Sequence, residues 1–235
     1  QTHHYKAKDI PGVFFSDSAK KKAAESRPHF HGEYGITNGT DTAKTDPVGI
    51  HIRDGLYASV GQLQAGTPMT WWWDSYIEPC NLYPLYAGFH RWIDGFDFAA
   101  EKARLVNARI VCRVPKNIQA EMGGSAPSSE VSRDTLLRAF GVQGDTKGLI
   151  WIQNRMRGWP AQQQNKELPP VTGGRLHLKN VPPGKWEVES WDTMKGEVTG
   201  VCTMHVGRSG KLDLALPDIV SDAAFRLRKV AQDSR

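Results

Sequence analysis

Through the first hundred residues the apolar positions alternate between two periods. "QTHHY" (1–5), "RPHFHGEY" (27–34) and "TPMTWWW" (67–73) are short runs with strand character. Between and after them lie stretches with helical spacing. "SDSAKKKAAES" offers Ser16 or Asp17 as an N-cap, followed by good helix formers. "DPVGIHIRDGLYASVGQLQ" pairs an Asp46 cap with Pro47 at the first helical position, and Ile50, Leu56, Tyr57, Val60 and Leu63 give it an apolar face. "LYPLYAGFHRWIDGF" gathers Leu85, Phe89, Trp92, Ile93 and Phe96 on one side. Pro11-Gly12 reads as a turn. Strand followed by helix, three times over, predicts parallel strands in an α/β arrangement.

From residue 99 the grammar changes to period 2. "ARLVNARIVCRV", "TLLRAFGV", "GLIWIQNR", "GRLHLKNV", "KWEVESWD", "GEVTGVCTMHV", "KLDLALP" and "AAFRLRKV" follow one another. Turn signals such as Pro182-Pro183-Gly184, Lys195-Gly196 and Ser209-Gly210 separate them. Leu212, Leu214 and Leu216 should share a face, and Phe225 and Leu227 should oppose Arg226 and Arg228. About eight strands predict an antiparallel β-sandwich over residues 99–235. In residues 1–98, Tyr5 and Glu33 are 28 positions apart and Glu33 and Trp71 are 38 apart. A (β/α)₈ barrel averages about 31 residues per unit, so these three units match the last part of a TIM barrel. A doubly wound sheet has a similar period. No GxGxxG or GxxxxGK[ST] opens a helix, which removes the commonest nucleotide-binding alternatives.

Composition narrows the function classes. The 235 residues are 39% hydrophobic and 23% charged, with a net charge of +5. That balance fits a folded chain. The Lys and Arg are scattered, and Lys20-Lys21-Lys22 reads as a solvated helix face, so no nucleic-acid partner is expected. No apolar run reaches the roughly 20 residues of a membrane span. Cys80, Cys112 and Cys202 form no CxxC pair, although a Cys112–Cys202 disulfide is conceivable. The chain opens without Met, as if inside a strand, and is expected to be a cleavage product or part of a longer protein.

Catalytic groups of a TIM barrel sit at the C-terminal ends of its strands. There the three predicted strands carry His3-His4-Tyr5, Glu33, and Trp71-Trp72-Trp73-Asp74. A carboxylate that attacks an anomeric carbon, a Tyr hydroxyl that holds it and an indole that faces a sugar ring would form one site. "HHY", "PHFHGEYG" and "TPMTWWWDSYIEP" resemble the sixth, seventh and eighth strands of clan A glycoside hydrolases. The closest likeness is to cellulase-like proteins whose barrel is followed by a β-sandwich. "LRAFGVQGDTKGLIWIQNR" and "PPGKWEVESWDTMKGEV" resemble such a sandwich.

The resemblance implies Glu33 as nucleophile, with Tyr5 and His3 as its partners from a His-x-Tyr motif. It implies Trp71 or Trp73, with His4 and Asp74, against a carbohydrate substrate, and a secreted or periplasmic location. In that clan the acid/base follows an Asn on the fourth strand. It and the first five strands are therefore expected upstream of residue 1, on the same polypeptide or a separate chain. Retaining enzymes need two such carboxyls about 5–5.5 Å apart.

Other readings stand beside this one. The chain could be a carbohydrate-binding or scaffolding protein that has lost catalysis. Glu33 could cap the following turn. Glu78 could touch substrate. The polar stretch "NRMRGWPAQQQNKELPP" could lean over the cleft, bind a neighbouring subunit in a homo-oligomer, or simply lie on the surface. By alternation His29, His31 and Glu33 share a face, and with His3 or His4 they could make a metal site, as His-x-His on a barrel strand does in metal-dependent hydrolases. No Asp or Lys at later strand ends completes that pattern, so these histidines are expected to be core groups, with no metal and no cofactor.

Overall fold

The computed structural model describes residues 1–24, 28–37, 39–112, 136–163 and 169–231. The N-terminal part runs β1 (Thr2–Tyr5), α1 (Ile10–Ala24), β2 (His31–Gly35), α2 (Gly39–Thr45), α3 (Ile50–Gly61), a π-helical turn (Trp73–Ile77) and α4 (Tyr83–Ile93). β1 and β2 pair in parallel, and Thr70 adds a parallel bridge to Tyr34.

Local chemistry moves several boundaries. α1 begins at Ile10, well before Ser16, because Asp9 accepts the Gly12 N–H at 3.2 Å and acts as the cap. Pro11-Gly12 therefore lies within the first helical turn, where a missing N–H leaves no bond unmade. α3 starts at Ile50 and not at Pro47. Gly49 adopts φ 77° immediately before it, and the Asp46 carboxylate reaches forward to the Ile50 and His51 N–H groups at 2.9 and 2.8 Å. α2 is the next element after β2 and carries Asp41 in its first turn.

Among the described residues, "TPMTWWW" pairs through the Thr70 bridge alone before the chain widens into the π-turn. There Ile77 and Glu78 N–H bond the carbonyls five residues back, at 3.0 and 2.9 Å. The reason lies in its anchors. Trp72 Nε1 donates to the Thr37 carbonyl at 3.0 Å, and buried Tyr76 donates to the Asp46 carbonyl at 2.7 Å. These bonds bend the chain inward.

The C-terminal part contains β3 (Arg104–Leu105), β4 (Asn107–Val111), β5 (Leu137–Gln143), β6 (Lys147–Asn154), β7 (Arg175–Lys179), β8 (Gly184–Asp192), β9 (Glu197–Val206), β10 (Leu212–Ala215) and β11 (Asp222–Lys229). They form two antiparallel sheets, ordered β10-β7-β4 and β3-β5-β6-β11-β8-β9. "ARLVNARIVCRV" divides between them: Arg104–Leu105 pairs with β5, and Asn107–Val111 with β7. Between the sheets, Ile110, Leu176, Leu178, Leu212 and Leu214 meet Ile150, Ile152, Trp186, Val188, Phe225 and Leu227. The predicted alternation holds: Leu212, Leu214 and Leu216 are buried, as are Phe225 and Leu227, whereas Arg228 is exposed. The three cysteines are free thiols.

The outer face of the larger sheet is covered too. Phe140, Val142, Leu149, Trp151, Trp191 and Ala224 share one apolar core with Ile52, Leu56, Tyr57, Phe89 and Trp92 of α3 and α4. A buried polar group crosses the same seam. Arg53 bonds Asp54 at 2.7 Å and Asp222 at 2.8 Å, Gln153 bonds Asp54 at 2.8 Å, and Trp151 Nε1 bonds Asp222 at 2.8 Å. Burial pushes the Asp54 carboxyl up to about 6 despite the adjacent guanidinium. α4 meets the β8–β9 turn through glycines: a Cβ on Gly88 would sit 2.9 Å from the Gly196 Cα. Arg91 fastens that contact by donating to the Gly196 and Lys195 carbonyls, each at 3.0 Å.

Candidate functional site

The site begins with an irregularity in the smallest sheet. Thr2 lies opposite His31 and His3 opposite Glu33, so Gly32 is an extra residue in β2, a bulge. A Cβ there would meet the end of the Gln1 side chain and come within 2.9 Å of His3 Nε2, so a larger residue would have to push those two exposed side chains aside. The bulge reverses the alternation. His31 turns toward α1, its ring stacked 3.8 Å from that of Phe14, where the edge of Tyr34 also packs. Glu33 turns to the other side. His31 and Glu33 thus do not share the face that simple alternation assigns them.

On the Glu33 side, the Tyr5 hydroxyl donates to Glu33 Oε2 and His3 Nδ1 stands 3.5 Å from the same oxygen. The hydrogen bond to Glu33 raises the Tyr5 phenol above its ordinary value, because the carboxylate stabilises the proton it receives. Both rings are exposed, whereas the Glu33 side chain is only 20% exposed. The three residues predicted to work together therefore do meet, at the ends of adjacent parallel strands. Such a carboxylate is held in direction by its two neighbours and keeps part of its surface in solvent.

Trp71, Trp73 and Asp74 follow the Thr70 bridge and are all exposed, while Trp72 is half-buried by its bond to Thr37. The bridge pairs Thr70 with Tyr34, next to Glu33, and the two open indoles follow it, Trp71 directly and Trp73 at the start of the π-turn. Trp159, in the long polar stretch, is buried and donates to the Ala7 carbonyl at 3.0 Å, just beyond the end of β1. Residues 164–168 of that stretch lie outside the described set.

The structure does not bring His4 to Glu33. Its ring faces α1, where Nε2 bonds Asp17 Oδ2. His31 Nε2 lies 3.6 Å from the same oxygen. Burial raises Asp17, but the hydrogen bond and charge of His4, together with His31, outweigh it and hold the carboxyl below its usual range. Burial also pushes the His31 imidazole down to about 4. Asp17 was foreseen only as a helix cap. The signal that could have marked it is its place on the inward stripe of Ile10 and Phe14, seven residues after one and three after the other.

A separate cleft of about 810 Å³ lies between α1, β4, β5 and β7, lined by residues such as Phe15, Ser18, Arg138, His177 and Asp213. None of the strand-end residues lines it. No helix among the described residues is long and apolar enough to cross a membrane.

No family model and no curated protein matches the chain. Several solved structures do. A protein of Neocallimastix frontalis aligns at 14% identity and a TM-score of 0.45, covering 97% of this chain and 53% of that one. A GH30 endoxylanase of Clostridium papyrosolvens aligns at 13% and 0.42, covering 97% and 48%. A GH39 enzyme of Xanthomonas axonopodis pv. citri aligns at 14% and 0.42, covering 94% and 49%. The chain spans about half the length of each.

Proposed function

We propose that this chain carries the nucleophile half of a retaining glycoside hydrolase, with Glu33 as the attacking carboxylate. One observation carries the reading: Tyr5 donates to Glu33 from the neighbouring strand end, with His3 beside the same oxygen. This holds the carboxylate in one orientation while its other oxygen can approach a sugar. Glu33 would attack the anomeric carbon as the glycosidic C–O bond breaks, and the leaving oxygen would take a proton from a second carboxyl. Water, deprotonated by that second group, would then release the sugar from Glu33. Trp71 or Trp73 supplies the apolar face for the ring, in keeping with their exposure. We place the second carboxyl, together with the remaining strands of a TIM barrel, upstream of residue 1 on the same polypeptide or a companion chain. A polysaccharide substrate and a secreted or periplasmic setting belong to this proposal.

The exposed indoles equally favour a second reading, a carbohydrate-binding protein without catalysis. One experiment separates the two. Hydrolysis of a panel of aryl glycosides is measured with the full-length protein and with its Glu33→Gln variant. The hydrolase reading expects kcat to fall at least about 10³-fold with sugar binding retained. Activity that survives the substitution removes Glu33 as nucleophile. Binding without turnover in the unsubstituted protein supports the second reading.

A further inference from the structure

We infer that His4, Asp17 and His31 form a binding site for one divalent transition-metal ion, of which zinc is the best match, clamped between β1, α1 and β2. His4 Nε2, Asp17 Oδ2 and His31 Nε2 all lie within 4.8 Å of one another. Zinc held at about 2.0–2.2 Å by imidazole nitrogen and carboxylate oxygen puts tetrahedral ligands roughly 3.3 Å apart. The 3.6 Å between His31 Nε2 and Asp17 Oδ2 is close to that spacing. To admit the ion, the direct His4–Asp17 hydrogen bond must give way and His4 Nε2 must release its proton.

The orientation of His31 carries the inference furthest. Its side chain is wholly buried, and Nδ1 faces Gln64 Oε1 at 3.0 Å. Nδ1 must donate in that bond, which leaves Nε2 with a lone pair. Nε2 has no hydrogen-bond partner and points toward a carboxylate oxygen. Two acceptors then face each other, one wholly buried and one half-buried, an arrangement that a cation between them turns from costly to favourable. Gln64 is itself bonded to Ser18 Oγ at 3.3 Å, and Phe14 stacks on the His31 ring, so the ligand is held from outside as metal-bound histidines are. His4 and Asp17 are 26% and 20% exposed, which leaves a path for entry and a place for water as fourth ligand. The two imidazoles and one carboxylate suit zinc among common divalent ions, whereas magnesium and calcium prefer oxygen. The metal would join three segments that are distant in sequence. Because the Gly32 bulge puts these ligands on the opposite face from Glu33, the site does not depend on the hydrolase reading.

The test uses full-length protein freed of metal by a chelator. Zinc chloride is titrated by calorimetry, and cobalt chloride by visible absorption. One ion per chain is expected, with the intense visible bands of four-coordinate cobalt and a raised Tm. His4→Ala and Asp17→Asn should each weaken zinc binding at least about 10-fold. His177→Ala, at the exposed His177–Asp213 pair, and Glu33→Gln should leave it unchanged. Absence of stoichiometric binding to the unsubstituted protein overturns the inference without any variant. So does binding that survives both His4→Ala and Asp17→Asn.

Discussion

The β-sandwich and the strand–helix layer bury different things. Between its two sheets the sandwich packs Leu, Ile, Val, Trp and Phe side chains. The strand–helix layer buries Asp46, His51, Arg53, Asp54 and His31 among its apolar groups, each with a specific partner. It then leaves Tyr5, bonded to Glu33, and Trp71 and Trp73, after the Thr70 bridge, open on the surface. Apolar packing is non-directional, so it fills space and fixes shape only through fit. Charged hydrogen bonds are directional and costly when broken, so they fix the exact course of a short strand or turn. The layer that must aim a few exposed side chains relies on buried ions, some of them shared with the sandwich through Asp222 and Arg138.

This contrast can be broken by ranking substitutions. Trp186→Ala, in the sandwich core, should cost about 3–5 kcal/mol by urea unfolding, the usual range for loss of a buried aromatic. Asp46→Ala comes next, at about 3 kcal/mol, because it strands the Ile50 and His51 N–H groups and the His51 ring. That penalty should depend on pH. The hydrogen bonds from His51 overcome the upward pull of burial and hold Asp46 below 3.8, so its stabilisation is present above about pH 4 and lost as pH falls through the lower folded value. An unfolding series from pH 3 to 7 should therefore show the variant and the unsubstituted protein converging in acid. A gap that widens there would refute the assignment.

Smaller effects follow. Gly88→Val should cost about 1–3 kcal/mol by pushing α4 off the β8–β9 turn, which chemical unfolding would read directly. Glu33→Gln and Trp71→Ala should each change stability by no more than about 0.5 kcal/mol, because both act at the surface of the layer. If either unfolds the protein as Asp46→Ala does, the division between aiming residues and aimed residues is lost.

The sandwich was the more legible half. Period-2 patterning depends only on neighbours across two faces, so Leu212, Leu214, Phe225 and Leu227 could be placed without knowing their partners. The helices α3 and α4 were legible for a similar reason. What escaped were features made by bonds between side chains and backbone, local ones at Asp9 and Asp46 and tertiary ones at Trp72 and Tyr76. The forward reach of Asp46, the anchoring of Trp72 and Tyr76, and the Asp9 cap each moved a boundary. The meeting of His3, Tyr5 and Glu33 was legible because all three stand at strand ends in order. The His4–Asp17–His31 group was not, because one extra residue in β2 undoes the counting.

That residue, Gly32, also bears on how such a strand can change over time. In a regular strand, adding or deleting a position moves every later side chain to the other face. With the slack taken up inside the strand, the segment before Gly32 and the segment after it are separately adjustable. A lineage could exchange the imidazole that looks toward the helix and leave the carboxylate's aim untouched, or do the reverse. Loss of the glycine would join the two histories again, since Glu33 and His31 would then have to turn together.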